Sequence, residues 1–270
     1  MYVVKVPGIN GLGKTKGCEN SGNEILKELK NIHTNEQGRI VDVSLLDLEE
    51  IHLDNSNLEL TNSLIYKNSL EMFETKPKVV FLGGDHSITY STTKAFFEYC
   101  KKFQKEPCLI VFDAHPDCME SADLKFPTHE EWLRSLVEEG FPTENILLVG
   151  VRNSHYQENS FLKEKNIRRI SMNQFLEDIQ ETCEIIMEFS DKKELYISID
   201  IDVIDPLFAN STFYKEPGGF TSRQFIYLIQ RMNKIKNLRG IDIVEINAEE
   251  DKKNNNLTLK LGAKILSELL

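Results

Sequence analysis

The sequence predicts an α/β protein built on one parallel sheet that helices cover on both faces. Its clearest signal is a set of short apolar runs, such as residues 79–82 and 108–112, with the continuous hydrophobicity of buried parallel strands. Amphipathic segments of ten or more residues separate these runs, as crossover helices do in βαβ units. No linker rich in Pro, Gly or Ser divides the chain, so we expect one domain spanning residues 1–270.

Strands and helices are predicted to alternate along most of the chain. The apolar runs predict strands at residues 3–6, 40–43, 79–82, 108–112, 146–149, 195–199 and 241–246. Helical periodicity predicts helices beginning near residue 23 and covering 60–73, the region around 95–97, 130–139, 173–189, 222–232 and 257–270. The carboxyl ends of all parallel strands meet at one edge of the sheet, where ligands of such proteins bind.

Composition restricts the classes of partner. With 43 acidic and 32 basic side chains, the formal net charge is -11, which argues against a nucleic-acid or anionic-membrane binder and favours a cationic substrate. Residues 1–7 lack the apolar core of a signal peptide, and no run of 18 apolar residues predicts a membrane span. The five cysteines are widely spaced, which indicates reduced thiols. We therefore expect a cytoplasmic protein.

The run from Ser198 to Pro206 places two carboxylates at the end of an apolar strand. Asp200 and Asp202 are two positions apart, a spacing that on an extended backbone points both side chains to the same side. Two such anions repel each other and are poorly solvated, so the pair indicates a bound cation. A simple turn is the alternative, and we assign that role to Asp205, which precedes Pro206.

Other predicted strands also end in polar side chains that suit a metal site. With the two aspartates above, the ends of three strands supply two imidazoles and four carboxylates, from His86, Asp113, His115, Asp117, Asp200 and Asp202. Four carboxylates balance two divalent cations, and paired cations lower the pKa of a shared water. Oxygen-rich ligands without a thiolate favour Mn²⁺ over Zn²⁺. Taken singly, His86 also suits a helix start, and His115 before Pro116 a turn.

Three motifs resemble the metal motifs of a known enzyme family. They are Gly-Gly-Asp-His-Ser at residues 83–87, Asp-Ala-His-Pro-Asp at 113–117 and Ser-Ile-Asp-Ile-Asp-Val-Ile-Asp-Pro at 198–206. Their order and spacing are similar to those of the ureohydrolases, the family of arginase, agmatinase and formimidoylglutamase. This resemblance implies a three-layer α/β/α sandwich with a central parallel sheet, and two Mn²⁺ ions per chain.

The resemblance also implies roles for individual residues. The metal ligands would be His86, Asp113, His115, Asp117, Asp200 and Asp202. Asp113 and Asp200 would bridge the two ions. His129 would be the proton-shuttling histidine, although Thr128 before it also suits a helix N-cap. Glu245 would bind the guanidinium of the substrate through two parallel hydrogen bonds.

Two loops depart from the family pattern and concern specificity. Where relatives carry a glycine-rich loop, residues 210–217 read Asn-Ser-Thr-Phe-Tyr-Lys-Glu-Pro. These larger side chains predict a bulkier entrance to the site. Asn153 and His155 stand where arginases tend to place acidic groups that receive the amino-acid end of arginine. This favours agmatine or another guanidino compound over arginine. Lys215 is a candidate to pair with a carboxylate at the far end of the substrate.

The expected reaction is hydrolysis of a guanidino carbon–nitrogen bond, which releases urea and an amine, as in polyamine metabolism. The metal pair would supply an activated hydroxide to the carbon, Asp202 would stabilise the tetrahedral intermediate, Glu245 would orient the guanidinium, and His129 would protonate the leaving amine. The alternatives are a formimino or amidine hydrolase that releases formamide, and a catalytically silent relative that binds a polyamine or a protein. We also expect a homo-oligomer whose ligand is a small guanidino or amidine molecule.

Overall fold

The computed structural model describes residues 1–120 and 125–270. Within them lie the strands β1 (Tyr2–Val6), β2 (Asp47–Glu50), β3 (Val79–Gly83), β4 (Pro107–Phe112), β5 (Ile146–Val149), β6 (Arg168–Ile170), β7 (Glu194–Asp200) and β8 (Leu238–Val244). They form one sheet in the order β2-β1-β3-β8-β7-β4-β5-β6, and every neighbouring pair is parallel. The predicted parallel sheet is confirmed.

Helices connect the strands and lie against the sheet. Their bounds are α1 (Ser21–Leu29), α2 (Leu58–Thr75), α3 (Ser87–Lys102), α4 (Trp132–Glu138), α5 (Tyr156–Glu164), α6 (Met172–Glu177), α7 (Ile179–Phe189), α8 (Ser222–Met232), α9 (Ala248–Asp251) and α10 (Leu257–Leu269). None of the helices in the described ranges is long and apolar enough to span a lipid bilayer.

Alternate strand residues face two separate apolar cores, one on each side of the sheet. In β3, Val80 and Leu82 belong to the first core, whereas Val79 and Phe81 belong to the second. Helices α1, α6, α7, α8 and α10 pack in the first core, and helices α2, α3, α4 and α5 pack in the second. The predicted three-layer α/β/α sandwich is therefore confirmed.

The strand predicted at residues 40–43 is wrong. Ile40 is 77% exposed and forms only an isolated bridge with Thr34. The strand of this region is β2, an edge strand of sequence Asp-Leu-Glu-Glu. Because one edge of β2 is unpaired, its acidic side chains remain in solvent, and it lacks the apolar run that marks a buried strand.

The long helix predicted at residues 173–189 is two helices. Asp178 adopts an extended backbone between α6 and α7, and its carboxylate accepts a hydrogen bond from the backbone N–H of Glu181 at 2.9 Å. An aspartate in this position is a favourable N-cap, so it begins a new helix rather than continuing the old one. Helix α5 and strand β6, whose sequences are largely polar, are not in the predicted set.

The sheet order brings the predicted functional strands together. Strands β3, β8, β7 and β4 are consecutive in the sheet, so the segments that follow them begin at one edge. Strand β8 ends at Val244 because Glu245 leaves the ladder in the left-handed region, with a φ of 65°. Its N–H donates instead to the carbonyl of Gly84 at 2.9 Å, next to the end of β3. Non-glycine residues rarely adopt this conformation, and they concentrate at functional sites.

Candidate metal centre

The segment after β4 contributes three predicted ligands through a tight turn. The backbone N–H of His115 donates to Oδ1 of Asp113 at 2.7 Å, which folds the chain back over the strand end. Asp117 has a φ of 49°, a left-handed conformation that aspartate tolerates better than most residues. Its Oδ2 accepts a hydrogen bond from the indole N–H of Trp132 at 2.9 Å. These contacts fix two carboxylates and one imidazole at the edge of the sheet.

The pair after β7 is arranged differently from the prediction. Asp200 is the last residue of the strand, and residues 201–203 form a 3-10 turn instead of extended backbone. The carboxylate of Asp200 caps this turn by accepting from the N–H of Asp202 at 2.8 Å. Oδ1 of Asp202 accepts from the N–H of Ala114 at 3.0 Å, which ties it to the β4 segment. The turn, rather than strand alternation, places both carboxylates at the site.

The predicted ligands form two overlapping groups. Nδ1 of His86 lies 2.8 Å from Oδ2 of Asp117, 3.1 Å from Oδ2 of Asp113 and 3.2 Å from Oδ2 of Asp200. In the second group, Nδ1 of His115 lies 2.8 Å from Oδ2 of Asp202 and 3.6 Å from Oδ1 of Asp113. Asp113 belongs to both groups.

The donor atoms fit divalent cations. Nδ1 of His86 and Oδ2 of Asp113 are buried and close to each other, yet neither makes a hydrogen bond of suitable geometry with any residue in the described ranges. A buried polar atom without a partner destabilises a fold, and coordination to a metal is one way to satisfy it. Carboxylates and imidazoles, with no thiolate among them, suit Mn²⁺.

Burial and charge perturb the acid–base properties of the ligands. Burial raises the pKa of Asp117 to about 7, and burial together with the Asp202 charge raises that of Asp200 well above its usual range. Burial acts in the same direction on Asp113, but its contacts with the two imidazoles hold the pKa of that carboxyl below its usual value. The two imidazoles alone therefore do not supply enough positive charge to balance all of these carboxylates.

The two imidazoles differ in what supports their outer nitrogen. Nε2 of His86 lies 2.9 Å from the hydroxyl of Ser198, which donates to Oδ1 of the buried Asp242 at 2.7 Å. Nε2 of His115 lies 3.4 Å from Oε1 of Glu216, at the edge of solvent. None of these three partners is among the site residues predicted from the sequence. Asp242 had one recognisable signal, since it is a carboxylate within the apolar run 241–246.

His129 and Glu245 form a buried pair beside the ligand groups. Nδ1 of His129 lies 3.1 Å from Oε1 of Glu245, which also accepts from the N–H of His86 at 2.8 Å. Burial lowers the pKa of His129, but the carboxylate of Glu245 outweighs it and raises that pKa to about 9. The alternative of a helix start at residue 128 is not observed, because α4 begins at Trp132.

A cavity of about 330 Å³ opens onto these groups. Asn153 and His155 line it, whereas Lys215 does not, because its ammonium pairs with Glu250 at 2.6 Å. Within the described part of the chain, the lining side chains include no lysine and no arginine. At the mouth, the Tyr214 ring stacks at 18° to the ring of His129. The cavity thus presents carboxylates and imidazoles, which suits a cationic ligand.

Known proteins share both sequence and fold with this chain. It is 28% identical to arginase 2, chloroplastic/mitochondrial, of Arabidopsis thaliana over 253 residues, which are 94% of this chain and 70% of that protein. It is 26% identical to an agmatinase of Bacillus anthracis, over 85% of this chain and 75% of the agmatinase. The structure of formimidoylglutamase from Bacillus subtilis superposes with a TM-score of 0.87 at 25% identity, covering 99% of this chain and 85% of that one.

The family model described as "Arginase family" matches residues 2–270. This match spans nearly the whole chain and includes all three motifs from which the resemblance was drawn. The chain belongs to the arginase family, whose members are hydrolases that act on guanidino or amidino carbon–nitrogen bonds.

Proposed function

We propose that the chain hydrolyses a guanidino carbon–nitrogen bond with two Mn²⁺ ions, releasing urea and an amine, and that it favours agmatine or another guanidino compound over arginine. One observation carries this proposal: two groups of potential ligands share Asp113 and open onto a cavity that also holds the His129–Glu245 pair.

The ions would be held by two sets of residues with shared carboxylates. The first ion would bind His86, Asp113, Asp117 and Asp200, and the second would bind Asp113, His115, Asp200 and Asp202. When bound, the pair supplies activated water and Lewis-acid stabilisation of developing negative charge. The unpartnered atoms of His86 and Asp113 support this assignment.

The other polar residues would bind the substrate and move its proton. Glu245 would accept two hydrogen bonds from the planar guanidinium and hold its carbon towards the ligand groups. Asp202 would stabilise the substrate as the carbon becomes tetrahedral. His129 would donate a proton from Nε2 to the leaving amine, because its Nδ1 is engaged by Glu245.

The cavity supports a substrate without an α-carboxylate. An arginine carboxylate would find no lysine or arginine among the described lining residues. The amide nitrogen of Asn153 donates to Glu216 at 2.6 Å, and Nδ1 of His155 accepts from the N–H of Gln157 at 3.4 Å. The amide nitrogen of Asn153 and Nδ1 of His155 are thus engaged within the protein rather than with the amino-acid end of arginine. Lys215 is directed to Glu250 rather than to the cavity and would not bind the substrate.

Formimino hydrolysis is the second candidate, and the fold similarity to a formimidoylglutamase favours it. The two reactions differ in product, since hydrolysis of a formimino group releases formamide rather than urea.

A single assay separates these reactions. The protein is loaded with Mn²⁺ and incubated with arginine, agmatine, guanidinobutyrate and formiminoglutamate, and urea and formamide are measured. We expect urea, with agmatine giving a higher kcat/KM than arginine. Formamide as the main product would support the second candidate, and a preference for arginine would contradict the substrate assignment.

A further inference from the structure

The outer nitrogen of His115 faces a carboxylate that no motif predicted. Nδ1 of His115 points towards Asp202, and its Nε2 lies 3.4 Å from Oε1 of Glu216. A neutral imidazole that binds a metal through Nδ1 carries its proton on Nε2. A carboxylate at that position selects this tautomer and fixes the plane of the ring.

The backbone of Glu216 is held in place by one half-buried guanidinium. Arg152 donates to the carbonyl of Glu216 at 2.6 Å and to that of Asp202 at 2.7 Å. It also donates to the carbonyls of Val203 and Pro217 at 3.2 and 3.1 Å. One side chain therefore ties the loop of Glu216 to the turn of Asp202.

The side chain of Glu216 has its own support. The Asn153 amide nitrogen donates to Oε1 of Glu216 at 2.6 Å, the same oxygen that faces His115. The N–H of Asn153 donates to the carbonyl of Ala114 at 3.1 Å, so the amide is fixed next to His115 in the chain. An aspartate at position 153 would instead set a carboxylate against Glu216, and like charges at this distance repel.

We propose that Glu216 is a positioning residue for His115, held by Asn153, and that it sets the affinity of the second Mn²⁺ ion. This rests on the ligand assignment proposed above. It also gives Asn153 a role in supporting the metal site rather than in binding the substrate tail.

Titration of the metal-free protein with Mn²⁺ alone, followed by calorimetry, tests the role of Glu216. Glu216→Ala should weaken the second Mn²⁺ site by about 10- to 100-fold and leave the first site unchanged, as for other lost partners of metal-bound histidines. Glu216→Gln should stay within about threefold of the wild type, because its amide oxygen can accept from the same N–H. Lys215→Ala is the matched control, since that neighbouring side chain pairs with Glu250.

A substitution at Asn153 tests the same proposal independently of Glu216→Ala. Asn153→Asp should weaken the second site, and combining it with Glu216→Gln should recover part of the loss, because the glutamine amide can donate to the new carboxylate. Glu216→Ala with both affinities unchanged, or weakened equally, would overturn the proposal. A wild type that binds two ions without releasing urea would contradict the proposed function and leave this inference standing.

Discussion

The candidate metal centre has two halves that are supported in different ways. The inner half is His86 with Ser198 and Asp242, and the outer half is His115 with Glu216 and Asn153. The His86 side chain is 1% exposed, whereas those of His115 and Glu216 are 18% and 24% exposed. In both halves a side chain contacts Nε2 of an imidazole, but only in the inner half is that side chain buried in the core.

The origin of the partners explains this difference. Ser198 and Asp242 are residues of β7 and β8, and they face each other in the register of the two strands. Glu216 lies in a loop that hydrogen bonds from Arg152 hold in place. We therefore expect that changes in the inner half alter both metal binding and folding, whereas changes in the outer half alter metal binding alone.

Asp113→Asn should have the largest effect, because Asp113 is shared by both ligand groups and neither half retains its ligand set without it. We expect elemental analysis to show that Mn²⁺ content falls from two per chain. Activity should fall by at least about a thousandfold, equivalent to roughly 4 kcal/mol, and stay low in excess Mn²⁺.

Asp205→Asn is the matched control, because Asp205 accepts from the turn N–H of Leu207 and belongs to neither ligand group. Recovery of Asp113→Asn to wild-type turnover at saturating Mn²⁺ would show that Asp113 is not a shared ligand.

The inner half was partly predictable from the sequence. Buried parallel strands read as continuous apolar runs, so β3, β4, β7 and β8 were identified, and the polar residues at their ends followed from the topology. Its support was harder to predict. The contact between Ser198 and Asp242 depends on the register of β7 against β8, which apolar periodicity does not determine.

Sequence patterns predict little of the outer half. Glu216 precedes Pro217 in a loop without periodicity, and its contact with His115 spans 101 positions. Lys215 next to it was assigned to the substrate because of its charge, but a charged loop residue pairs with whichever partner the folded surface supplies, here Glu250. Loop side chains are set by tertiary contacts such as those of Arg152, which no local pattern encodes.

Ser198→Ala tests whether the inner half is also part of the folding core. The change leaves Nε2 of His86 without its hydroxyl partner and removes one of the two donors to Oδ1 of Asp242, the other being the backbone N–H of Ile199. We expect the first Mn²⁺ site to weaken by about 10- to 100-fold and the metal-free protein to lose about 1–3 kcal/mol of unfolding free energy.

The control for this variant is Ser211→Ala, which removes a similar buried bond to Asp251 at 2.7 Å without touching a predicted ligand. It should lower the unfolding free energy and leave Mn²⁺ affinity unchanged. Glu216→Ala, in the outer half, should instead weaken Mn²⁺ binding and leave the unfolding free energy unchanged. If Ser198→Ala and Glu216→Ala change stability equally, the contrast between the halves is wrong.

His155→Asp extends the comparison from the outer half to the substrate cavity. His155 caps α5, and aspartate is also a favourable N-cap, so the helix start should be retained. The new carboxylate can pair with the terminal ammonium of agmatine and repels the carboxylate of guanidinobutyrate, which should raise the kcat/KM ratio of agmatine to guanidinobutyrate by about 10- to 100-fold, or roughly 1–3 kcal/mol. His155→Asn keeps the cap without the charge and should leave the ratio near that of the wild type. An unchanged ratio in both variants would mean that position 155 does not face the substrate tail.

Cys118→Ser should have the smallest effect, although Cys118 directly follows the proposed ligand Asp117. The thiol is fully buried, and burial raises its pKa far above the usual range, so we expect it to stay protonated and to act neither as a ligand nor as a nucleophile. Its Sγ lies 3.9 Å from the carbonyl of Glu158, a contact that a serine hydroxyl can replace. We expect two Mn²⁺ ions per chain and a rate within about threefold of the wild type, which would correspond to less than about 1 kcal/mol.

Cys183→Ser, an equally buried site on α7, controls for the cost of burying a hydroxyl. Loss of one ion in Cys118→Ser alone would place the thiol in the inner half and overturn the oxygen and nitrogen ligand set.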